Sequence, residues 1–232
     1  LLHQVNDRTL LDYIKFKPTP ENNFIEGAEI ISRQKLSKLQ NNQEDEGFIE
    51  PGKYQDLFIR SDTATGKTTL IKKYVYEQEL NIISIVSRVS LAEEQYKDFQ
   101  DIGINCYNYR NSEERWYYQK GDNVIITIES LHRLADIEDF SDYVIYLDEF
   151  DSLIRHLLNS PTCKDKRAAS WMLLRSRLLV ECKQIIATDA DIHHKRLKIL
   201  KGLNRNINKV LNTYKHNQGV PMKEVYNYED FL

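Results

Sequence analysis

An α/β fold, with a mainly parallel sheet and helices on both faces, is predicted by three observations. Short β-branched runs recur from residue 56 onward, each is followed by a longer charged segment with helical spacing, and small polar or acidic residues gather just after the apolar runs. Strands that alternate with helices need crossover connections, and crossovers produce parallel sheets buried on both faces. In such sheets ligands bind at the carboxyl ends of the strands, so the chemistry is sought there.

The elements follow in order. Residues 1–50 are polar and irregular and read as an N-terminal extension or linker, with "LLDYI" a candidate helical piece and "KLQNNQEDEGFIEPGK" a solvated connector. Residues 51–232 form the main domain. Its strand candidates are 56–60, 81–86, 104–109, 123–128, 143–147 and 183–188, with "KVLNTY" a further one near the C-terminus. Helices are expected over 67–79, 90–101, 129–136 and 167–181, and another begins near Asp151.

Composition bounds the function classes. Hydrophobic residues make up 41% and charged residues 29% of 232, which excludes a mostly disordered chain and gives enough material for one substantial core. No apolar run approaches a membrane span and no signal-peptide pattern opens the sequence, so an intracellular protein is expected. Cys106, Cys163 and Cys182 form no C-x-x-C pair, which suggests neither a zinc site nor a disulfide framework. A net charge of -3 argues against a uniformly basic nucleic-acid coat but leaves room for a local basic face. The chain opens on Leu1 and closes on Leu232, and it reads as one domain of a larger protein.

The first strand runs into "SDTATGKTT", close to the phosphate-binding pattern G-x-x-x-x-G-K-[ST], with Ser61 where the leading glycine usually stands. In such a loop, backbone N–H groups and a helix N-terminus converge on anionic oxygens. Ser61, Thr65, Gly66, Lys67, Thr68 and Thr69 are the candidate nucleotide-binding residues. Lys67 would reach the outer phosphates, and the Thr68 hydroxyl would ligate magnesium. Ala64 and Thr65 put side chains where glycine would ease close approach.

The strand "YVIYL" ends in Asp148-Glu149. An acidic pair leaving a buried strand beside a phosphate-binding loop suits a metal and a water: Asp148 would hold Mg²⁺ through its water shell, and Glu149 would orient or deprotonate the attacking water. Eighty residues separate Lys67 from Leu147, enough for three strand–helix units, so the two motifs are expected on neighbouring strands.

Three further strand ends carry weaker signals. In "SRVSLAEEQ", Arg88 and Ser90 are candidate contacts to a nucleic-acid phosphate, while Ser90 and Glu93 also fit a helix capping box. In "TIESLHRL", Ser130 and its neighbours suit a phosphodiester or an ordinary capped helix. In "ATDAD", Thr188 and Asp189 face the same edge as the acidic pair and are candidates for coupling the nucleotide to a neighbouring domain, while Asp191 fits a cap on "IHHKRLKIL". His193 and His194 have no partner at metal-ligand spacing and read as surface residues.

Taken in order, "SDTATGKTT", "SRVSLAEEQ", "TIESLHRL", "YLDEFDSLI" and "ATDAD" resemble motifs I, Ia, Ib, II and III of a superfamily 2 helicase. More narrowly, they resemble the herpesvirus-type replication-origin-binding helicases of large DNA viruses and mobile elements, in which a Ser commonly takes the leading position of motif I. The resemblance covers residues 56–195. It implies a P-loop NTPase, RecA-like domain in which Lys67 and Thr68 bind ATP and Mg²⁺, Asp148 and Glu149 serve the metal and the attacking water, and Arg88, Ser90 and Ser130 touch DNA, taken as single-stranded. It also implies a second RecA-like domain, absent from this chain, replication proteins as further partners, and a host nuclear or cytoplasmic replication site.

Two rival functions stay open on the residues alone. One is a degenerate, non-catalytic module that docks replication proteins. The other is a small-molecule P-loop kinase, for which "YRNSEERW" (109–116) is a poor candidate lid.

Overall fold

The computed structural model describes residues 27–36, 49–109, 118–200 and 202–215. Eight strands form one sheet: β1 Glu29–Ile31, β2 Asp56–Arg60, β3 Asn81–Val86, β4 Tyr107–Asn108, β5 Val124–Thr127, β6 Tyr143–Asp148, β7 Gln184–Asp189 and β8 Ile207–Asn212. Their spatial order is β1-β8-β2-β7-β6-β3-β5-β4, and every neighbouring pair is parallel. Leu57, Phe58 and Ile59 of β2 and Val144 to Leu147 of β6 are each 0% exposed. A strand with no exposed side must be covered on both faces, which the helices do.

Helix α1 is Lys67–Glu77, α2 Val89–Asp101, α3 Phe150–Asn159 and α4 Arg167–Leu173. The segment expected as one helix over 167–181 continues from α4 through a π turn at Leu174–Leu178 into Leu179–Glu181. The expected helix at 129–136 is a 3₁₀ helix, Ile128–Leu134. Its Ile128, Leu131 and Leu134 are buried, and their spacing of three matches the three-residue turn of that helix.

The sheet also takes a strand from the first fifty residues. β1 pairs with β8, and Leu36 joins the core at 1% exposure. "LLDYI", most of the "KLQNNQEDEGFIEPGK" connector and all but Tyr109 of "YRNSEERW" lie outside the described residues. At the opposite edge the strand expected at 104–109 is only Tyr107–Asn108. The three cysteines are buried and unpaired. Among the described residues no helix is long and apolar enough to cross a membrane.

One buried carboxylate anchors the amino ends of the strands. Asp56, 0% exposed, accepts Arg205 Nε at 2.6 Å, Arg205 Nη2 at 2.7 Å and the Ile185 amide at 2.7 Å. The bidentate fork offsets the desolvation of a buried carboxylate, and it leaves the carboxyl ends of the same strands free for the site.

Candidate nucleotide and nucleic-acid site

The loop between β2 and α1 is closed by side chains rather than by glycines. Ser61 is 1% exposed and Thr65 0%. Asn212 Nδ2 donates to Ser61 Oγ at 2.9 Å, Ser61 Oγ lies 2.7 Å from Thr65 Oγ1, and Thr65 Oγ1 donates to the Asp62 carbonyl at 2.9 Å. Each hydroxyl has one proton, so the bonds run in a single direction from Asn212 through Ser61 and Thr65 to the loop backbone. The leading serine therefore works as a relay in this loop. The turn itself is made by Ala64 at φ 58° and Gly66 at φ 80°. The left-handed conformation costs an alanine roughly 1–2 kcal/mol, and Lys35 Nζ bonded to the Ala64 carbonyl at 2.9 Å helps hold it.

Lys67 opens α1. Its Nζ folds back onto the Ser61 and Asp62 carbonyls at 2.9 and 2.8 Å, so the ammonium sits where outer phosphate oxygens would draw it. Burial lowers its pKa, and Asp148, Asp189, Asp62 and Glu149 pull the other way.

Asp148 ends β6 and is 5% exposed. Its Oδ2 accepts Gln95 Nε2 at 2.6 Å, and its Oδ1 accepts Thr188 Oγ1 at 2.9 Å and the Glu149 amide at 3.0 Å. Gln95 is fixed in turn by Ser84 Oγ at 2.5 Å. Burial pushes the Asp148 pKa up, while the bonds from Thr188, Tyr146, Glu149 and Gln95 hold it down. With both oxygens engaged, the carboxylate suits contact with a hydrated cation through water better than direct ligation. Tyr146, two residues back on the same strand, is buried and meets Thr188 Oγ1 at 3.0 Å, and its hydroxyl also reaches Thr68. Thr68 and Asp148 thus share one hydrogen-bonded cluster, and these donors fit Mg²⁺.

Glu149 follows at φ 48°, the left-handed residue that starts α3. Strain of this kind persists where surrounding structure over-determines it. The turn aims the Glu149 carboxylate at Arg88, whose Nη2 lies 3.0 Å from Oε2 and 3.4 Å from Oε1.

The two motifs are not on neighbouring strands: β7 lies between β2 and β6. Crossovers that return past an occupied position leave a slot, and the later β7 fills it. Its end touches both sides. The Asp189 carbonyl accepts the Ser61 amide at 2.9 Å, and its Oδ2 accepts the Asp151 amide in the first turn of α3 at 2.8 Å. Asp191 pairs with Arg60 at 2.7 Å.

Arg88 and Ser90 are exposed at the end of β3, beside β5 and Ser130. The capping box does not form. Arg88 is the N-cap of α2 and makes no side-chain cap bond, so Ser90 lies two residues past the cap position, inside the first turn. Arg133, from the same motif as Ser130, donates to the Tyr109 carbonyl at 3.1 Å and stacks 5.6 Å above the Tyr109 ring centroid.

Three contributors escaped the sequence reading. Gln95 sat inside a quoted motif without a role, although a Gln on the apolar stripe of an amphipathic helix signals a buried hydrogen bond. Asn212, two residues after Val210 on the buried side of a half-polar strand, gave a weaker signal. The segment around Arg33–Leu36 gave none. It lies along the loop through Leu36 N to the Thr65 carbonyl at 3.0 Å and through Arg33, whose amide and carbonyl both bond Asn212.

The fold has a solved counterpart. A hypothetical ATP-dependent RNA helicase from Sulfolobus tokodaii superposes with a TM-score of 0.50 at 15% identity, over 68% of this chain and 48% of that one. At that identity the likeness concerns the RecA-like helicase fold alone. By sequence, the replication origin-binding protein of varicella-zoster virus (strain Dumas) is 30% identical over 176 residues, 72% of this chain and 20% of that protein. A putative replication origin binding protein of Escherichia phage T5 is 28% identical over 148 residues, covering 62% and 15%. The chain thus spans about a fifth or less of these relatives. The family described as "Origin of replication binding protein" matches residues 40–225, a stretch that includes β2 to β8, and the chain belongs to that family.

Proposed function

We propose that the chain is the ATP-binding domain of a DNA helicase or translocase that acts in viral or mobile-element DNA replication, and that it hydrolyses ATP with Mg²⁺ once a second RecA-like domain completes the site. One observation carries the reading: Lys67, Thr68, Asp148 and Glu149 meet at one edge of the sheet, with Lys67 Nζ held 2.9 and 2.8 Å from loop carbonyls that phosphate oxygens would replace.

Bound Mg²⁺ would supply charge neutralisation across the outer phosphates. Lys67 would exchange its two carbonyl partners for phosphate oxygens, while Thr68 and Asp148 would hold the hydrated ion. Glu149 would orient the water for in-line attack. The water oxygen bonds to the terminal phosphorus, its proton passes to Glu149, and the bridging bond to the β-phosphate breaks to release ADP. Arg88, Ser90 and Ser130 would hold the DNA backbone, because phosphate contacts position a strand without reading its bases. The relatives named for origin binding support a replication setting.

Fluorescent ATP titration with and without Mg²⁺ tests the reading. A charge-assisted bond contributes about 1.5–3 kcal/mol, so Lys67→Ala is expected to weaken nucleotide binding by roughly 10- to 150-fold. No binding by the wild type, or equal affinity in the variant, sinks it.

A further inference from the structure

Away from the strand ends, three elements bring a carboxylate, an imidazole and a thiol together. Glu129 lies in the first turn of the 3₁₀ helix after β5, His156 in the last turn of α3, and Cys163 ends the short 3₁₀ turn Pro161–Cys163. Their donor atoms all lie within 4.8 Å of one another. Glu129 Oε2 is 3.6 Å from His156 Nε2, with both side chains little more than a quarter exposed. Cys163 is 1% exposed.

We propose that Glu129, His156 and Cys163 form a zinc site with one open position for water. Thiolate, imidazole and carboxylate together select Zn²⁺ over Mg²⁺ or Ca²⁺, which prefer all-oxygen shells. Zn–N and Zn–O bonds of about 2.0–2.2 Å and a Zn–S bond of about 2.3 Å place tetrahedral ligands roughly 3.3–3.7 Å apart. The Glu129–His156 separation of 3.6 Å is already of that size. The sulfur needs to close by at most about 1 Å, within reach of a Cys side-chain rotation and a small shift of the short turn.

The neighbouring cation does not occupy this space. Arg167 points its Nε at the Leu157 carbonyl and its Nη2 at the Ser160 carbonyl, 2.9 and 2.8 Å away. Thr162 Oγ1, 3.3 Å from His156 Nε2, is the contact that a metal would displace.

The role follows from position. His156 is seven residues beyond Glu149 on α3, so the cluster lies roughly 10 Å along that helix from the acidic pair, too far for the hydrolysis reaction. Zinc would tie the 3₁₀ helix that carries Ser130 to the far end of the helix that begins at the acidic pair. The ion would link two motifs whose strands, β5 and β6, are consecutive in sequence but separated by β3 in the sheet.

Untagged chain, dialysed free of metal, is titrated with Co²⁺ and then Zn²⁺. One equivalent of Co²⁺ is expected to give tetrahedral visible bands and a thiolate-to-cobalt charge-transfer band, both displaced by Zn²⁺, and added Zn²⁺ should raise the Tm until a chelator reverses it. Cys163→Ser should abolish the charge-transfer band. His156→Gln, at a partly exposed position where folding is not at stake, should weaken Co²⁺ affinity at least tenfold. A spectrum lacking the charge-transfer band in wild type, or a His156→Gln affinity equal to wild type, overturns the site.

Discussion

Arg88 cannot hold Glu149 and a DNA phosphate with the same face of its guanidinium, and that competition gives the most direct test of the proposed DNA edge. The pair is exposed, with side chains 66% and 36% accessible and a shortest N–O distance of 3.0 Å. Ion pairs of that kind contribute about 0.2–1 kcal/mol. Replacing Glu149 by Gln releases Arg88 at that modest gain, so affinity for single-stranded DNA should rise by roughly 1.4- to 5-fold with no nucleotide present. Arg88→Ala should lower affinity and reduce the slope of log affinity against log salt by about 0.7, the value for one phosphate contact on a single strand.

Anisotropy of a labelled oligonucleotide, followed between about 50 and 200 mM salt, reads both quantities. Removing any negative charge favours DNA somewhat, so the double variant is what separates a specific release from a general field. In the Arg88→Ala background, Glu149→Gln should gain almost nothing. An equal gain in both backgrounds refutes the competition, and an unchanged salt slope in Arg88→Ala removes Arg88 from the phosphate contact.

Two further outcomes follow from the packing. Ser61→Gly restores the commoner loop glycine, yet it removes the middle of the Asn212–Ser61–Thr65 relay. With buried partners left unsatisfied at about 1–3 kcal/mol, urea unfolding should show a loss of stability and nucleotide affinity should fall, whereas a stabilised variant contradicts the relay. Arg205→Ala strands the 0%-exposed Asp56 carboxylate and should cost about 3–5 kcal/mol in urea unfolding followed by circular dichroism, with a loss under 1 kcal/mol counting against it.

What was legible in the sequence was local. The strands at 56–60 and 81–86 match their predicted bounds because β-branched runs bounded by polar residues report burial on both faces. The Gly66-Lys67-Thr68 turn between β2 and α1 and the acidic pair at the end of β6 were legible as sequence patterns because their residues are few and closely spaced. β1 was not, since three residues whose Ile30 is 62% exposed leave no period to read. Strand order was not legible either, because crossover lengths permit several placements, and the position of β7 depends on contacts between residues 40 or more apart, such as Thr188 with Asp148. The capping box failed by two residues: the N-cap of α2 is Arg88 rather than Ser90, and a cap side chain works only at the boundary itself.

The position of β7 has a mechanical consequence. Thr188 gives its proton to Asp148, and the Tyr146 hydroxyl packs against both groups, 3.0 Å from Thr188 Oγ1. One residue along, the Asp189 backbone carbonyl holds the Ser61 amide, the first of the β2–α1 loop, and its carboxylate holds α3. The loop and the acidic pair are therefore both bonded to two consecutive residues of one strand, although they never touch through neighbouring strands. A displacement of that strand end would move the Lys67 side and the Glu149 side together, and bonds made to it from outside would act on both at once. Under the proposed function, the short polar end of β7, which reads in sequence as little more than "ATDAD", would be the joint through which a second domain's motion reaches the nucleotide, with Arg88 as its counterpart on the DNA side.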